Sequence, residues 1–355
     1  MYADGNATDF PEEPTGTAAA ETDDERRGLY ALLLPLLLVV LIITTNGLSL
    51  AAFAVEKRLR GYNNYFIINL TISDFLFGFL LIVTAIHSLL SRSPLPNNIG
   101  CRLFYGAFFV IQNVSNLIVI AICIDRHRAT YDPIGHFTTR SKRKAIYANA
   151  AVWVVSFLFW FSFATIPDFV LDYNNGPSCF LWYYLNPIAH IVPFFTRFII
   201  PFVVILILYV RIFTKIMKTS GRKHIDKEFG GDLKQSSGQA NSDGDGDKKQ
   251  RPQSTAESGG QKVAKRESES EVRRATKTLL FIIIAFFITW CPISIVSVIY
   301  SIEPALVPSS WIHLVPGWLV YVNSLLNPIC YVVSQPLFRK TVFGLICHPT
   351  RYCRG

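Results

Sequence analysis

The sequence predicts an all-α membrane protein, a seven-transmembrane helix bundle followed by a short amphipathic C-terminal helix. Hydrophobic residues make up 51% of the chain and charged residues 17%, which leaves too little polar surface for a soluble domain of this length. Seven apolar runs each reach the roughly 20 residues that a helix needs to cross a bilayer. We place these spans at 29–54, 65–90, 102–124, 146–166, 191–216, 276–301 and 312–334.

The segment before the first span, residues 1–28, is polar and acidic. It has no apolar core followed by a small-residue cleavage site, so we predict no signal peptide and assign insertion to the first span. The sequon Asn6-Ala7-Thr8 lies in this tail. Asn6 is therefore the predicted glycosylation site.

The connections between spans predict the orientation, because basic loops stay in the cytoplasm. Lys and Arg follow the first, third and fifth spans, whereas the links after the fourth and sixth spans contain neither. The N-terminus is thus predicted to be extracellular and the C-terminus cytoplasmic. The net charge of +9 follows from this topology and does not indicate nucleic-acid binding.

Two cytoplasmic segments interrupt or follow the bundle. Residues 218–270 separate the first five spans (29–217) from the last two (271–334), and their Gly, Ser, Gln, Asp and Lys predict a disordered loop. In residues 335–355, apolar side chains alternate with Arg339 and Lys340, which is typical of a helix on the membrane surface. Cys347 follows this helix, and both palmitoylation and a free thiol remain open.

Two further cysteines are predicted to face the oxidising side of the membrane. Cys101 begins the third span and Cys179 lies in the loop after the fourth. A disulfide between them is favoured in that compartment. It would tether the loop over the mouth of the bundle.

Asp74 is the ionisable residue that lies deepest in a span. A buried carboxylate is costly without partners and is therefore a functional candidate. Polar oxygens at comparable depth predict a site for a sodium ion; they are those of Ser115, Asn323 and Ser324, with Asn327 nearby. The alternative is a hydrogen-bonded cluster that only packs helices together.

Other features indicate a bundle with two arrangements. Asp125 and Arg126 end the third span, where a carboxylate can hold the guanidinium until the bundle opens. Phe286 and Trp290 are four residues apart on one helix face. Prolines that free a backbone carbonyl interrupt the last three spans, at Pro201, Pro292 and Pro328.

As an ordered set, these residues resemble the rhodopsin-like G-protein-coupled receptors. The matching positions are Asn46, 70–74, Cys101, Asp125-Arg126-His127, Trp153, Pro201, Tyr209, Phe286, Trp290, Pro292 and 327–331. The resemblance implies that Arg126, Tyr209 and Tyr331 rearrange on activation and that the sixth span moves outward. It also implies a heterotrimeric G protein as partner, with arrestin, receptor kinases and membrane lipid as further partners.

Residues 72–76 and 318–328 are similar to the aminergic branch, especially histamine and muscarinic acetylcholine receptors. That similarity points to the inhibitory class of G protein. The ligand-contacting positions depart from the branch. Phe108 stands where the family pattern has the amine-binding aspartate, and Arg197 stands where some histamine receptors carry an acid.

These departures predict a pocket for an anionic or neutral polar ligand, because the guanidinium of Arg197 repels a cation and attracts a carboxylate, sulfate or phosphate. The predicted ligand-binding residues are Phe108, Gln112, Asn113, Asn116, Arg197, Trp290, Ser294, Trp318 and Tyr321. The alternative for Arg197 is that it snorkels or pairs with a polar helix neighbour.

A further departure concerns the resting state. Val272 stands where many relatives have a glutamate facing Arg126, and Glu271 is one residue away. Without that latch the inactive arrangement is held less firmly. The sequence therefore predicts some ligand-independent activity.

The sequence excludes several rival classes of membrane protein and leaves others open. An opsin needs a lysine in the last span, and none lies between Trp311 and Ser334. There is neither the internal symmetry of a transporter nor the paired constellation of an intramembrane enzyme, so we predict a receptor and no enzyme. An amine receptor and a ligand-sequestering receptor that does not couple to G protein remain as alternatives.

Overall fold

The computed structural model describes residues 16–90, 98–170, 186, 188–236, 255–306 and 316–348, with side chains from Leu33 to Thr219 and from Thr276 onward apart from short gaps. All regular elements in these ranges are helical. The α-helices are α1 Gly16–Val55, α2 Tyr65–Leu90, α3 Asn98–Tyr131, α4 Pro133–Thr139, α5 Lys142–Ser156, α6 Ser162–Val170, α7 Ile188–Pro193, α8 Ile200–Ser236, α9 Thr255–Ile302, α10 Pro316–Ser334 and α11 Pro336–Cys347.

Seven spans are built from these helices, which confirms the predicted fold class. A π-helical turn, Phe157–Phe161, joins α5 to α6 in the fourth span, and a second, Phe194–Ile199, joins α7 to α8 in the fifth. Six of the spans are long and apolar enough to cross a membrane by length and composition alone. The seventh, α10, has only 19 residues and carries polar side chains that face the bundle interior.

The third span is the centre of the bundle. Helix α3 packs against α2, α5, α6, α8 and α9, and 61% of its most apolar stretch is buried, compared with 17% in the fourth and fifth spans. Ile118 and Leu70 are fully buried in the main core. The apolar side chains that remain exposed on the fourth and fifth spans form the surface that lipid covers.

A proline in α10 explains a contact between the first and seventh spans. Pro328 has no N–H, so the carbonyl of Ser324, four residues earlier, lacks its partner within the helix. The side-chain amide of Asn46 donates to this carbonyl at 3.0 Å. Asn46 is fully buried, and the two helices are therefore joined through a backbone group that the proline left free.

The second and fourth spans are joined by polar side chains in the same way. The indole N–H of Trp153 donates to Oδ1 of Asn69 at 3.0 Å. One turn away, the Asn149 amide donates to the carbonyl of Tyr65 at 3.2 Å. These bonds fix the rotation of α5 against α2.

Short helix α4 follows the third span and is set by its first residues. The Asp132 carboxylate accepts from the Gly135 N–H at 2.9 Å as an N-cap, and Pro133 occupies the first helical position. Both choices are favourable at a helix start. The cap directs His136 back towards the end of α3.

Helices extend further than the sequence predicted. Helix α8 continues to Ser236 and α9 begins at Thr255, so the disordered loop predicted for 218–270 is too long at both ends. These segments contain Lys, Arg, Glu, Gln and Ala, which are good helix formers. A helix does not have to end at the edge of the hydrocarbon core of the membrane. Likewise, α1 begins within the predicted tail, at Gly16; Asn6 and Cys179 lie outside the described residues.

Candidate functional site

A cavity of about 230 Å³ opens among the third, fifth, sixth and seventh spans, in the half of the bundle nearer Cys101. Six of the predicted ligand-binding residues line it. They are Phe108, Gln112, Arg197, Trp290, Ser294 and Tyr321. The structure therefore brings these six residues together, and their role in ligand binding stays a prediction.

Arg197 is the central polar residue of the cavity wall. It is only 3% exposed, and its Nη1 donates to Oε1 of Gln112 at 2.8 Å while Nη2 donates to the carbonyl of Phe109 at 2.8 Å. Its guanidinium carbon lies 3.7 Å from the centre of the Trp160 ring. A buried guanidinium is stabilised by such planar stacking and by its fork of donors.

In this geometry Arg197 pairs with a polar helix residue, which is the alternative described for it. The arginine holds Gln112 and still lines the cavity. Trp160, which the sequence analysis did not select, completes its environment by stacking on Phe109 at 5.8 Å. No sequence signal identifies Trp160, because it lies 37 residues from Arg197 within a run of aromatic side chains.

The cavity wall contains no carboxylate among the described residues. Besides Arg197, the other basic side chain that lines it is His190, which is 4% exposed and packs edge-on against Tyr300 with ring centres 5.3 Å apart. An ammonium group would therefore enter this cavity without a counter-ion from its walls. Such a desolvated charge is costly.

The side-chain amide of Gln112 offers hydrogen-bond donors on the cavity wall. Because Oε1 of Gln112 already accepts from Arg197, the Gln112 amide presents its two N–H donors. The indole N–H of Trp290 is buried and has no acceptor within the described part of the chain. The cavity is thus chemically suited to a molecule rich in acceptors.

Phe108 forms an apolar wall where the family pattern has an aspartate. Its ring lies within an aromatic cluster, 5.2 Å from Phe77 and 6.2 Å from Tyr321. Tyr321 in turn packs edge-on against Trp318 at 5.2 Å. Rings alone can supply part of an aromatic cage, but in the part of the chain that the structure describes no carboxylate accompanies them on this wall.

Three predicted ligand-binding residues do not line the cavity. Asn113 points to the fourth span and donates to Oγ of Ser156 at 3.0 Å, because adjacent helix positions are rotated by about 100° from one another. Asn116 is buried below the cavity, at 2% exposure. Trp318 lies behind Tyr321.

The Asp74 carboxylate joins the second, third and seventh spans. Its Oδ1 accepts from Ser324 at 2.9 Å and from Ser115 at 3.2 Å, and its Oδ2 accepts from Asn327 at 2.7 Å. Ser73 extends the network to Ser115 at 2.9 Å. Three of the predicted partners thus converge on a fully buried carboxylate.

Asn323, which we also predicted for the sodium site, takes another role in this structure. Its Oδ1 accepts from the hydroxyl of Thr289 at 3.4 Å. The contact joins the sixth and seventh spans. Asn323 and Ser324 are adjacent on α10, so only one of them can face Asp74 at this level.

At the opposite end of α3, Asp125 and Arg126 form the predicted buried ion pair. Two further partners hold the same carboxylate. Tyr62 donates to its Oδ1 at 3.1 Å, and Nε2 of His136 lies 2.9 Å from that oxygen. The sequence did not predict either contact. For His136 the only local signal is the helix cap at Asp132, which orients α4 so that this histidine faces Asp125.

Tyr62 lies in a short 3₁₀ turn between the first and second spans, outside the membrane. Burial, followed by the nearby Asp125 charge, raises the pKa of Tyr62 to about 12. Because the pKa of this phenol is higher in the folded state than in the unfolded state, the stability that the protonated phenol contributes is fully present below the unfolded-state pKa. It is lost as the pH rises through the folded-state pKa. The phenol therefore remains a donor throughout the neutral range.

Replacement of Tyr62 by Phe is expected to lower the stability of the protein by about 1 kcal/mol, since it removes one hydrogen bond to the buried Asp125 carboxylate. The midpoint of thermal unfolding of the purified protein at pH 7 measures this. Tyr65→Phe, a nearby tyrosine that does not contact Asp125, is the matched control. An unchanged midpoint in Tyr62→Phe would show that this hydrogen bond does not contribute to stability.

The remaining predicted activation residues lie in two groups. The rings of Phe286 and Trp290 are 5.8 Å apart in one buried cluster. Tyr331 is fully buried and meets Phe338 of α11 edge-on at 5.8 Å, whereas Tyr209 is partly buried against the main core. The side chains of Glu271 and Val272 are outside the described set, so the missing latch stays a prediction.

The cysteines differ in state. Cys101 is disulfide-bonded, in line with the predicted tether, although Cys179 is outside the described residues. Cys347 is exposed with a free thiol at the end of α11. Its position is accessible for the predicted palmitoylation.

Comparison with known proteins agrees with this architecture. The family model described as "7 transmembrane receptor (rhodopsin family)" matches residues 45–331. The 5-hydroxytryptamine receptor 1F of Mus musculus is 27% identical, over 85% of this chain and 88% of that protein. The muscarinic acetylcholine receptor M2 of Gallus gallus is 21% identical, over 86% and 90%. Melanopsin of Homo sapiens is 27% identical, over 82% and 56%.

Proposed function

Because the chain belongs to the rhodopsin family of seven-transmembrane receptors, we propose that it binds an extracellular small molecule in the Arg197 cavity and then activates a heterotrimeric G protein. Its ligand is an anionic or neutral polar molecule rich in hydrogen-bond acceptors. The protein is a multi-pass receptor of the plasma membrane and is not an enzyme. In our proposal its N-terminus is extracellular and its C-terminus cytoplasmic.

The composition of the cavity wall carries the ligand proposal. Arg197 supplies a permanent positive charge, and the amide of Gln112 supplies N–H donors. A ligand carboxylate can take the place of Oε1 of Gln112 on the guanidinium and gain a charge-assisted bond. A neutral amide or hydroxyl ligand can instead accept from Gln112 and leave the arginine in place.

An amine ligand is the second candidate, favoured by similarity to receptors named for 5-hydroxytryptamine and acetylcholine. The rings of Phe108, Tyr321 and Trp290 could contact an ammonium group. Arg197 opposes it, because two like charges in one small desolvated cavity repel strongly. We therefore rank the amine second.

Coupling is supported by the inner half of the bundle. The buried Asp125–Arg126 pair and the Asn327–Pro328 sequence are the elements that the family uses to change state. They weigh against a ligand-sequestering receptor that does not couple. We extend the proposal to the inhibitory class of G protein and to arrestin and receptor kinases as cytoplasmic partners.

We also propose that the Asp74 network holds a sodium ion in the resting state. A hard monovalent cation takes oxygen ligands, and the network supplies one carboxylate with the hydroxyls of Ser115 and Ser324. Reorientation of these two hydroxyls would free lone pairs for the ion. The hydrogen-bonded cluster without an ion is the alternative.

The experiment is ligand-stimulated guanine-nucleotide exchange in membranes containing the full chain, over a panel of biogenic amines and small carboxylates. Arg197→Met, which keeps an unbranched apolar side chain but removes the guanidinium and its charge, is expected to reduce the potency of an active acid at least tenfold. Arg211→Met, on the opposite end of the fifth span, is the control. A response to an amine with none to acids would overturn the ligand proposal and leave coupling intact.

A further inference from the structure

Two hydroxyl groups join the sixth and seventh spans at the ends that lie away from the Arg197 cavity. Oγ1 of Thr278 donates to Oγ of Ser334 at 2.8 Å, and Ser334 in turn donates to the carbonyl of Cys330. Thr278 is 2% exposed and Ser334 is 5% exposed. The relay is therefore buried between the two spans and ends on a backbone carbonyl of α10.

The Thr278 bond differs from the usual bond of a helical threonine. Such a hydroxyl commonly bonds the carbonyl four residues earlier in its own helix, as those of Thr71 and Thr130 do at 2.9 and 2.8 Å. A bond of that kind does not depend on where the neighbouring helix lies. The bond from Thr278 crosses to α10, so it depends directly on the distance between the two spans.

A second polar contact shows that the pair lies on a surface that the two helices share over several turns. The hydroxyl of Thr289 donates to Oδ1 of Asn323 at 3.4 Å. Thr289 is 11 residues after Thr278 on α9, and Asn323 is 11 residues before Ser334 on α10. Eleven residues make about three turns, or roughly 16 Å. Both contacts therefore lie on the same facing surfaces of two helices that run in opposite directions.

The position of Pro292 makes one of these contacts far more sensitive to bending than the other. Pro292 lies three residues after Thr289, and no proline lies between Thr278 and Thr289. Helices bend at proline, so the part of α9 that carries Thr278 can move as one rod about Pro292. Thr289 is close to this pivot, whereas Thr278 is roughly 20 Å from it along the helix. A small change of angle at Pro292 therefore separates Thr278 from Ser334 first.

Opening of the Thr278–Ser334 bond need not leave a buried polar group without a partner. Ser334 keeps its bond to the Cys330 carbonyl. The Thr278 hydroxyl can turn to a carbonyl of its own helix, as helical threonines commonly do. The net loss is then of the order of a single hydrogen bond, which allows the contact to break and re-form reversibly.

We propose that the Thr278–Ser334 bond is a latch that holds the sixth span against the seventh in the resting receptor and keeps ligand-independent nucleotide exchange low. The inference rests on the proposed coupling to a G protein, because the latch acts on the movement that exposes the coupling surface. It supplies a restraint in a chain that has Val272 where many relatives have a glutamate facing Arg126.

Nucleotide exchange without ligand, in membranes that contain equal amounts of the full chain and a purified G protein, tests the regulatory role. Ser334→Ala and Thr278→Val each remove one hydroxyl, and each is expected to raise this exchange about fivefold, the shift that one net hydrogen bond gives. The double variant should rise no further, because all three proteins lack the same bond. A fall in exchange in the single variants, or multiplied effects in the double variant, would overturn the latch.

Two variants control for side-chain volume and for the general loss of a buried hydroxyl. Thr278→Ser keeps the hydroxyl and should exchange as the parent protein does. Thr341 is 2% exposed and donates to the carbonyl of Leu337 within α11 at 2.9 Å, so Thr341→Val should also leave exchange unchanged. An equal rise in Thr341→Val would contradict the assignment of the effect to the pair.

A distance measurement distinguishes failure of the latch from failure of the proposed coupling. Spin-labelled amino acids in place of Tyr147 on α5 and Lys277 on α9, which are both exposed, report the separation of the fourth and sixth spans in purified receptor without G protein. The population with the longer distance should grow about fivefold in Ser334→Ala and stay unchanged in Thr341→Val. Unchanged distances in Ser334→Ala would overturn the latch. A larger long-distance population with no exchange in any variant would overturn the coupling and leave the latch standing.

Discussion

Replacement of Asp74 by Ala is expected to lower the stability of the receptor by about 3 kcal/mol or more. The change removes the acceptor of three buried donors, those of Ser115, Ser324 and Asn327, and each unsatisfied buried group costs about 1–3 kcal/mol. For a chain of this size the midpoint of thermal unfolding should fall by roughly 5–10 °C. Fluorescence-detected unfolding of purified receptor measures the shift.

Salt separates the structural role of Asp74 from the proposed ion. In the parent protein, sodium chloride should raise the unfolding midpoint relative to choline chloride at the same ionic strength. That difference should vanish in Asp74→Ala, while Thr44→Val, which removes only a bond within α1, should keep it. Equal midpoints in the two salts for the parent protein would argue for a hydrogen-bonded cluster without sodium.

Replacement of Asn116 by Leu is expected to stabilise the receptor. Asn116 is 2% exposed, and neither atom of its amide has a partner among the described residues. A leucine, which has the same number of side-chain heavy atoms in the same branched arrangement, removes this desolvated amide, which is worth about 1–3 kcal/mol, so the unfolding midpoint should rise by roughly 2–6 °C.

The same substitution three residues earlier is its matched control. Asn113 is also buried, but its amide donates to Ser156, so Asn113→Leu should lower the midpoint. Opposite signs from two asparagines on one helix would show that hydrogen bonding, and not leucine itself, decides the effect. A lower midpoint in both variants would mean that Asn116 has a partner in the folded receptor, such as a water molecule.

The parts of the fold that sequence could predict are those that depend on local composition. The length of each apolar run predicts the position of a membrane span. Each proline within a span indicates a backbone carbonyl that has no hydrogen-bond partner within its helix. The Asp74 partners were also predictable, because a buried carboxylate must find donors at its own depth. The Asp125–Arg126 pair needed no more than adjacency in sequence.

The contacts of Arg197 could not be predicted in the same way. Its partners Gln112 and Trp160 lie on other spans, and sequence spacing gives no distance between residues that are tens of positions apart. The assignment of Asn113 to the cavity failed because a rotation of about 100° separates it from Gln112. Helix rotation is fixed by packing across the whole bundle, which a single sequence does not display.

The π-helical turn Phe194–Ile199 has a consequence for how this cavity can be compared between relatives. Such a turn contains one residue more than the α-helical path would. A relative that lacks this one residue could therefore follow the α-helical path and keep both α7 and α8 in place, with His190 and Arg197 still on the cavity wall. Residues before and after the turn would then correspond in space only if an alignment places a one-residue gap within it, since each residue of misalignment shifts a helix position by about 100°.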